Sequence, residues 1–318
     1  MEKEKILIIK TGYTEILDGD QNSRIISFGD VLRTTPLLHK YEDKHVTWVT
    51  SEEARPLLDK NPYIHRLLSF DLLTTLQLAS EEFDKIINLE KVPGICALSD
   101  KIRARRSRYG FTFNTQTGEA EALDHAYEVL AVSFDPKYKK ENQHSLQELL
   151  FEMVGEEFNG EEYILGYKPK TKEIYDLGFN TKVGSKWPSK QWPMENWDKL
   201  EQLLEKDYSI SRQEKQGEQI NKDLERYMDW INSCRTLVTN DSLGLHIALA
   251  LKKNVIGLLG PTSSRQLYIY NKFKIILPEE KLNCLPCHSP ECTKYEKSCM
   301  NKISPEHVSK EIRNFLKS

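Results

Sequence analysis

Long hydrophobic runs are missing from this chain. Its apolar stretches end well short of the roughly 20 residues that a bilayer-spanning helix requires, so no membrane span is expected. Excess positive charge is missing as well: 45 Lys and Arg stand against 48 Asp and Glu, for a net charge of −3. A protein that grips a phosphate backbone needs a cationic face, so nucleic acid is set aside as a partner. There is no internal repeat and no low-complexity linker, which removes solenoids and tethered modules from consideration. The N-terminal MEKEKILIIK has neither a long apolar core nor a small-residue cleavage site, so a cytoplasmic location is expected. Outside one cluster near the C-terminus cysteine is scarce, with only Cys96 and Cys234 standing alone.

What is present is an alternation of strand and helix signals. At 318 residues the chain exceeds one hydrophobic core, and two domains facing a central cleft are the first expectation. KILIIK, HVTWVT, RLLSF and DKIINL read as strands, with helical stretches such as DVLRTTPLLHKY, bent at Pro36, between them. SLQELLFEMVG closes this half as a helix, and YILGYKPKTKEI reads as a strand and polar linker into the next. GFNTKVGS, YSIS, TLVTN and NVIGLLG repeat the alternation, and Ser304 and Pro305 open a C-terminal amphipathic helix. The pattern predicts an α/β protein of two Rossmann-like, doubly wound domains, 1–168 and 169–318. One charged stretch, KIRARRSR, reads either as a solvated helix face or as a patch for an anionic acceptor or lipid headgroups.

The stretch NDSLGLHIALAL sets an acid, Asp241, and a histidine, His246, into an apolar run. Asp241 falls where a strand ends and a helix begins, the edge at which open α/β sheets bind ligands. The helix start, with Ser242, offers free N–H groups to phosphate oxygens, and Gly244 allows close approach. An ionised Asp241 would repel a diphosphate, so its carboxylate is expected to face sugar hydroxyls. The plainer alternative makes Asp241 a helix cap and His246 a satisfied core histidine. Two further loops favour a ligand site: GPTSS, with Pro261 and Thr262, and VGSKWPSKQWP, with Ser185, Lys186 and Lys190. Lysines there could neutralise a leaving diphosphate.

In this order, GS-K-WPSKQWP, TNDSLGLHIALAL and GLLGPTSS resemble glycosyltransferase family 9, the ADP-heptose:lipopolysaccharide heptosyltransferases, whose fold is GT-B. ILIIK followed by SFGDVLRTTPLL resembles that family's opening strand and Gly-Asp dipeptide, and NPYIHRLL its next landmark. The resemblance covers nearly the whole chain. It implies that Asp30 is the general base, that Lys190 contacts the donor phosphates, and that Asp241 to His246 hold donor sugar and diphosphate. A positioned carboxylate also suits removal of the acceptor's proton in a single inverting displacement, although an acid at a helix start equally serves backbone donors. Residues 11–26 depart from the family as an insertion beside Asp30, and its Asp18-Gly19-Asp20 reads either as turn chemistry or as a metal-binding D-x-D.

CLPCHSPECTKYEKSC gathers Cys284, Cys287, Cys292 and Cys299 within sixteen residues. That density favours a structural zinc or iron over disulfides or free thiols, with His288 as a substitute ligand, and no catalytic metal is expected. Cysteine-rich tails of this kind resemble those of iron-binding members of family 9. Together these readings lead to an inverting transferase that moves a sugar, heptose from ADP-heptose, to a hydroxyl of a bacterial glycan, glycolipid or protein. Peripheral contact with the inner membrane is an option. A sugar-nucleotide epimerase or hydrolase and a non-catalytic sugar-nucleotide-binding protein remain the alternatives.

Overall fold

The computed structural model describes residues 3–13, 26–216, 223–294 and 298–317. Two compact units divide the chain, one of residues 1–138 and 144–167, the other of residues 139–143 and 168–318.

The first unit is built on the strands β1 (Lys5–Ile9), β2 (His45–Thr50), β3 (Arg66–Ser69), β4 (Glu82–Asn88), β5 (Arg103–Phe113) and β6 (Ala120–Ala122), in spatial order β3-β2-β1-β4-β5-β6. The first five pair in parallel and β6 returns antiparallel to β5. Strands covered on both faces must be apolar throughout, which is why Ile6, Leu7, Ile8 and Ile9 are all fully buried. Leu7, Ile9, Val49 and Ile86 pack with Val92 and with Ile95 and Leu98 of the helix Pro93–Lys101 that it precedes. Each such aliphatic side chain contributes about 2 kcal/mol by burial. The strand order reverses between β1 and β4, so their carboxyl ends form the switch point where such sheets bind ligands.

The second unit carries β7 (Tyr175–Asn180), β8 (Ile210–Arg212), β9 (Cys234–Asn240), β10 (Asn254–Leu258) and β11 (Phe273–Ile276), ordered β11-β10-β9-β7-β8 and parallel throughout. Its switch point lies between β7 and β9. One face of the sheet, from Leu177, Phe179, Val238, Ile256 and Leu258, meets Trp197, Leu200 and Leu204 of the helix Met194–Leu204 and Val308 and Ile312 of the helix Pro305–Phe315. The last helix starts as its sequence requires: Ser304 accepts from the His307 backbone and Pro305 occupies the first turn.

Several local readings need correction. KIRARRSR is not a helix face: residues from Arg103 onward form β5, and Arg103, Arg105 and Arg106 pair with Glu82, Asp84 and Glu4 at the amino-terminal edge of the sheet. These charges, on the stretch of β5 that β6 does not pair, are held by acids, away from the ligand-binding edge. YILGYKPKTKEI forms no strand. The helix around Pro36 is an α-helical piece, Phe28–Arg33, followed by a 3-10 segment, Thr35–Tyr41, with Pro36 in its first turn. The Asp18-Gly19-Asp20 turn and most of the insertion lie outside the described residues. Among the described residues no helix is long and apolar enough to cross a membrane.

Candidate functional site

The loops after β7, β9 and β10 bring three side chains to one point. Lys190 Nζ lies 2.7 Å from Asp241 Oδ2, and the Thr262 hydroxyl donates to the same oxygen at 2.7 Å. Asp241 is only 12% exposed and Lys190 16%. Burial works against ionisation of Asp241, but the charge and hydrogen bond of Lys190, the nearby His246 and the Thr262 hydroxyl hold its carboxyl well below the usual range. Asp241 is therefore an ionised partner of Lys190, engaged through its Oδ2. It is not the helix cap, since Ser242 occupies that position for the helix Leu243–Ala250.

The approach of these loops is set by buried polar side chains that sequence reasoning missed. Asn180, at the end of β7, donates to Thr239 Oγ1 at 2.7 Å and Ser242 Oγ at 2.8 Å, and accepts from the Tyr227 hydroxyl at 2.7 Å. Asn240, at the end of β9, accepts from the Trp192 backbone at 3.0 Å and donates to the Thr181 carbonyl at 2.9 Å. These bonds tie the lysine-bearing loop 181–193 to the strand that precedes Asp241. A Cβ on Gly244 would meet Asn180 Nδ2 at 2.4 Å and the Tyr227 hydroxyl at 2.5 Å. Gly244 thus makes room for this network and not for a ligand. His246 is buried behind it, 4% exposed. Pro261 is buried, its carbonyl accepting from the His288 backbone at 2.8 Å. Lys190 also sits 5.1 Å from the centre of the Trp187 ring. Ser185 is exposed and Lys186 half-buried on the same loop.

In the first unit Asp30 lies in the first turn of the helix Phe28–Arg33, its side chain 49% exposed and 3.8 Å from Arg33. Desolvation opposes its charge, but Lys10, Arg33, a hydrogen bond with Ser27, and Lys91 together hold its carboxyl below the ordinary value. Lys10 and Lys91 leave the carboxyl ends of β1 and β4, at the switch point. Between them Glu90, 1% exposed, accepts from Lys10 and from the backbone of Thr11 and Gly12. An acid just beyond the strand DKIIN is the same signal that singled out Asp241, and it was there to be read.

The cysteine cluster divides by burial. Cys299 is buried and its thiol is pushed up to about 11, by burial first and then by Cys287, Cys292 and Cys284. Cys284 is half-buried, and Cys287 and Cys292 are exposed. Among the described residues no group of three or more His, Cys, Asp or Glu side chains is arranged to hold a metal ion. The physical reason is that Cys299 opens a 3-10 turn packed into the core with Met300, whereas the other thiols belong to a surface loop. As placed, the four thiols do not form the expected zinc or iron site.

Two Rossmann-like units, each built on a parallel sheet, are the α/β architecture of GT-B glycosyltransferases. Residues 221–297 match the model of glycosyltransferase family 9 (heptosyltransferase), so the resemblance read from the motifs is found again. Over 85 residues the chain is 29% identical to lipooligosaccharide heptosyltransferase 2 of Campylobacter jejuni, a match covering 27% of each chain. The chain thus spans about a quarter of the length of the curated relative it matches. Among solved structures, a family 9 glycosyl transferase from Veillonella parvula has a TM-score of 0.69 at 17% identity, over 100% of this chain and 99% of that one. The E. coli heptosyltransferase WaaC, solved with ADP-2-deoxy-2-fluoro heptose, has a TM-score of 0.61 at 17% identity, over 98% and 99%. At 17% identity these solved structures show a shared fold.

Proposed function

We propose that the protein transfers a sugar, heptose from ADP-heptose, to a hydroxyl of a lipooligosaccharide-type glycan with inversion at the anomeric carbon. The observation that carries this reading is the Lys190–Asp241–Thr262 cluster at the carboxyl edge of the second sheet. A buried lysine whose counter-ion is a carboxylate presents its remaining donors to an anion, which suits a nucleoside diphosphate. Asp30 is ionised and accessible, as a general base must be. In the step proposed, the acceptor oxygen gives its proton to Asp30 and bonds to the anomeric carbon. The bond from that carbon to the diphosphate oxygen breaks, and its electron pair leaves with ADP, whose added charge Lys190 offsets.

A melting-temperature shift of the reduced protein against ADP-heptose, ADP-glucose and UDP-, GDP- and dTDP-sugars tests the donor, because a ligand bound only by the native state raises stability by mass action. A selective shift with ADP-heptose is expected. A larger shift with another sugar nucleotide overturns the heptose assignment, and no shift with any of them overturns the transferase reading. A structural zinc or iron at the four thiols stays a proposal of the sequence alone, and metal analysis of the reduced protein decides it. Membrane contact is likewise a proposal, which sedimentation with anionic vesicles decides.

A further inference from the structure

We propose that Glu90 is a positioning residue for Asp30, an inference that rests on Asp30 being the general base. Glu90 Oε1 accepts from the Thr11 backbone at 2.5 Å, the Thr11 hydroxyl at 2.9 Å and the Gly12 backbone at 2.8 Å. Its other oxygen lies 3.3 Å from Lys10 Nζ. Glu90 is held in turn: its own backbone donates to Asn88 Oδ1 at 3.1 Å, and its carbonyl accepts from the Cys96 thiol at 3.2 Å. The carboxylate therefore fixes the exit of β1 from the end of the neighbouring strand β4.

From that exit the constraint passes to Asp30 through described backbone. Gly12 has φ +83°, which favours glycine, and a Cβ there would fall 2.8 Å from Val31 Cγ2, so the turn lies directly against the helix Phe28–Arg33. The Gly12 carbonyl accepts from the Ser27 backbone at 2.8 Å, and the Ser27 carbonyl accepts from Asp30 at 3.1 Å and Val31 at 3.3 Å. Glu90, Gly12, Ser27 and Asp30 thus form one relay that sets where the helix starts. Glu90 also holds Lys10, the largest favourable charge acting on Asp30. Removing the carboxylate leaves three buried donors without their acceptor and removes the carboxylate that lies 3.3 Å from Lys10.

The test compares wild type with Glu90→Gln, Glu90→Ala, Glu90→Asp and Asp30→Ala. The readout is ADP release from ADP-heptose with heptose-deficient lipooligosaccharide as acceptor, and ADP affinity is measured alongside. A misplacement of about 1 Å costs about 100-fold in rate, so Glu90→Ala is expected to lower kcat by about that factor with KM for ADP-heptose and ADP affinity within about 3-fold. Glu90→Gln keeps an acceptor oxygen at the same reach and is expected to restore kcat to within about 5-fold. Should Glu90→Ala fail to fold, Glu90→Asp carries the test, since it keeps the charge but shortens the reach and is expected to be slower than Glu90→Gln. Wild-type kcat in folded Glu90→Ala or Glu90→Asp overturns the proposal, as does Glu90→Gln no faster than Glu90→Ala. Parallel loss of ADP affinity points to general disruption and also overturns it. If Asp30→Ala transfers normally, or the wild type releases no ADP, the reading of Asp30 fails and this inference falls with it; an inactive Asp30→Ala beside unaffected Glu90 variants sinks the positioning role alone.

Discussion

The two units present a carboxylate at the same topological place, and they treat it in opposite ways. Asp241 is 12% exposed and held at 2.7 Å by both Lys190 and Thr262, whereas Asp30 is 49% exposed with Arg33 at 3.8 Å. A carboxylate oxygen tied to a lysine and a hydroxyl at 2.7 Å is a poorer base, but it orients the lysine well. A half-exposed carboxylate with one hydrogen bond, from Ser27, and its cations farther off keeps an oxygen open to accept a proton. The sheet edge supplies the position, and the partners decide the chemistry.

The sharpest way to break this contrast is to remove each group. Asp30→Ala should cost transfer about 1,000-fold, within the range for loss of a general base, while ADP binding stays within a few-fold; kcat and ADP titration on the same preparation check it. Equal loss of both would give Asp30 a structural role. Lys190→Ala should lower kcat about 100-fold, as loss of a stabilising donor does, and weaken ADP as well. It should also destabilise the fold by about 3 kcal/mol in urea unfolding, because Asp241 is left nearly buried without its counter-ion. The double variant Lys190→Met with Asp241→Asn should recover part of that loss, and a strictly additive double variant would mean that the pair is not coupled.

The acid dependence sharpens the same point. Asp30 and Asp241 both have folded-state pKa values below the usual carboxylate value. For Asp241, the stabilisation is complete above the unfolded value of about 3.9 and is lost only as pH falls through the lower folded value. For Asp30, the lowered folded-state value keeps the base ionised throughout and above the ordinary carboxylate range. Transfer rate should therefore be insensitive to these two groups between pH 5 and 7 on the scale of about one pKa unit, and a carboxylate-type inflection above pH 5 in kcat would contradict the charges assigned around Asp30. The smallest effect concerns thiols. Burial pushes Cys96 and Cys234 up to about 12, so native protein should resist alkylation there while the exposed Cys287 and Cys292 react, as peptide mass spectrometry can show.

The outline of this account was legible before any coordinates. Apolar strand runs and the polar loops after them placed Lys190 and Asp241 at a sheet edge, because strand periodicity and the switch-point rule are local and topological, whereas Asp30 was reached only through the resemblance to family 9. The partners of those groups were not legible. That Lys190 would reach Asp241, or that Asn180 would hold Tyr227 and Ser242, depends on side chains 47 to 62 positions apart meeting across a sheet. Gly244 was read as room for a ligand, and only the packing shows Asn180 filling that space. KIRARRSR failed as a helix face for a related reason: its charges meet acids from β4 and the N-terminus, which no local pattern reveals.

The most direct test of the division of labour is a titration of ADP into Asp30→Ala and Lys190→Ala proteins side by side with wild type. The account predicts wild-type affinity, within about 3-fold, for Asp30→Ala and at least about 10-fold weaker binding for Lys190→Ala, the cost of about 1.4 kcal/mol that one lost charged contact carries. Wild-type affinity in both, or equal loss in both, would contradict it.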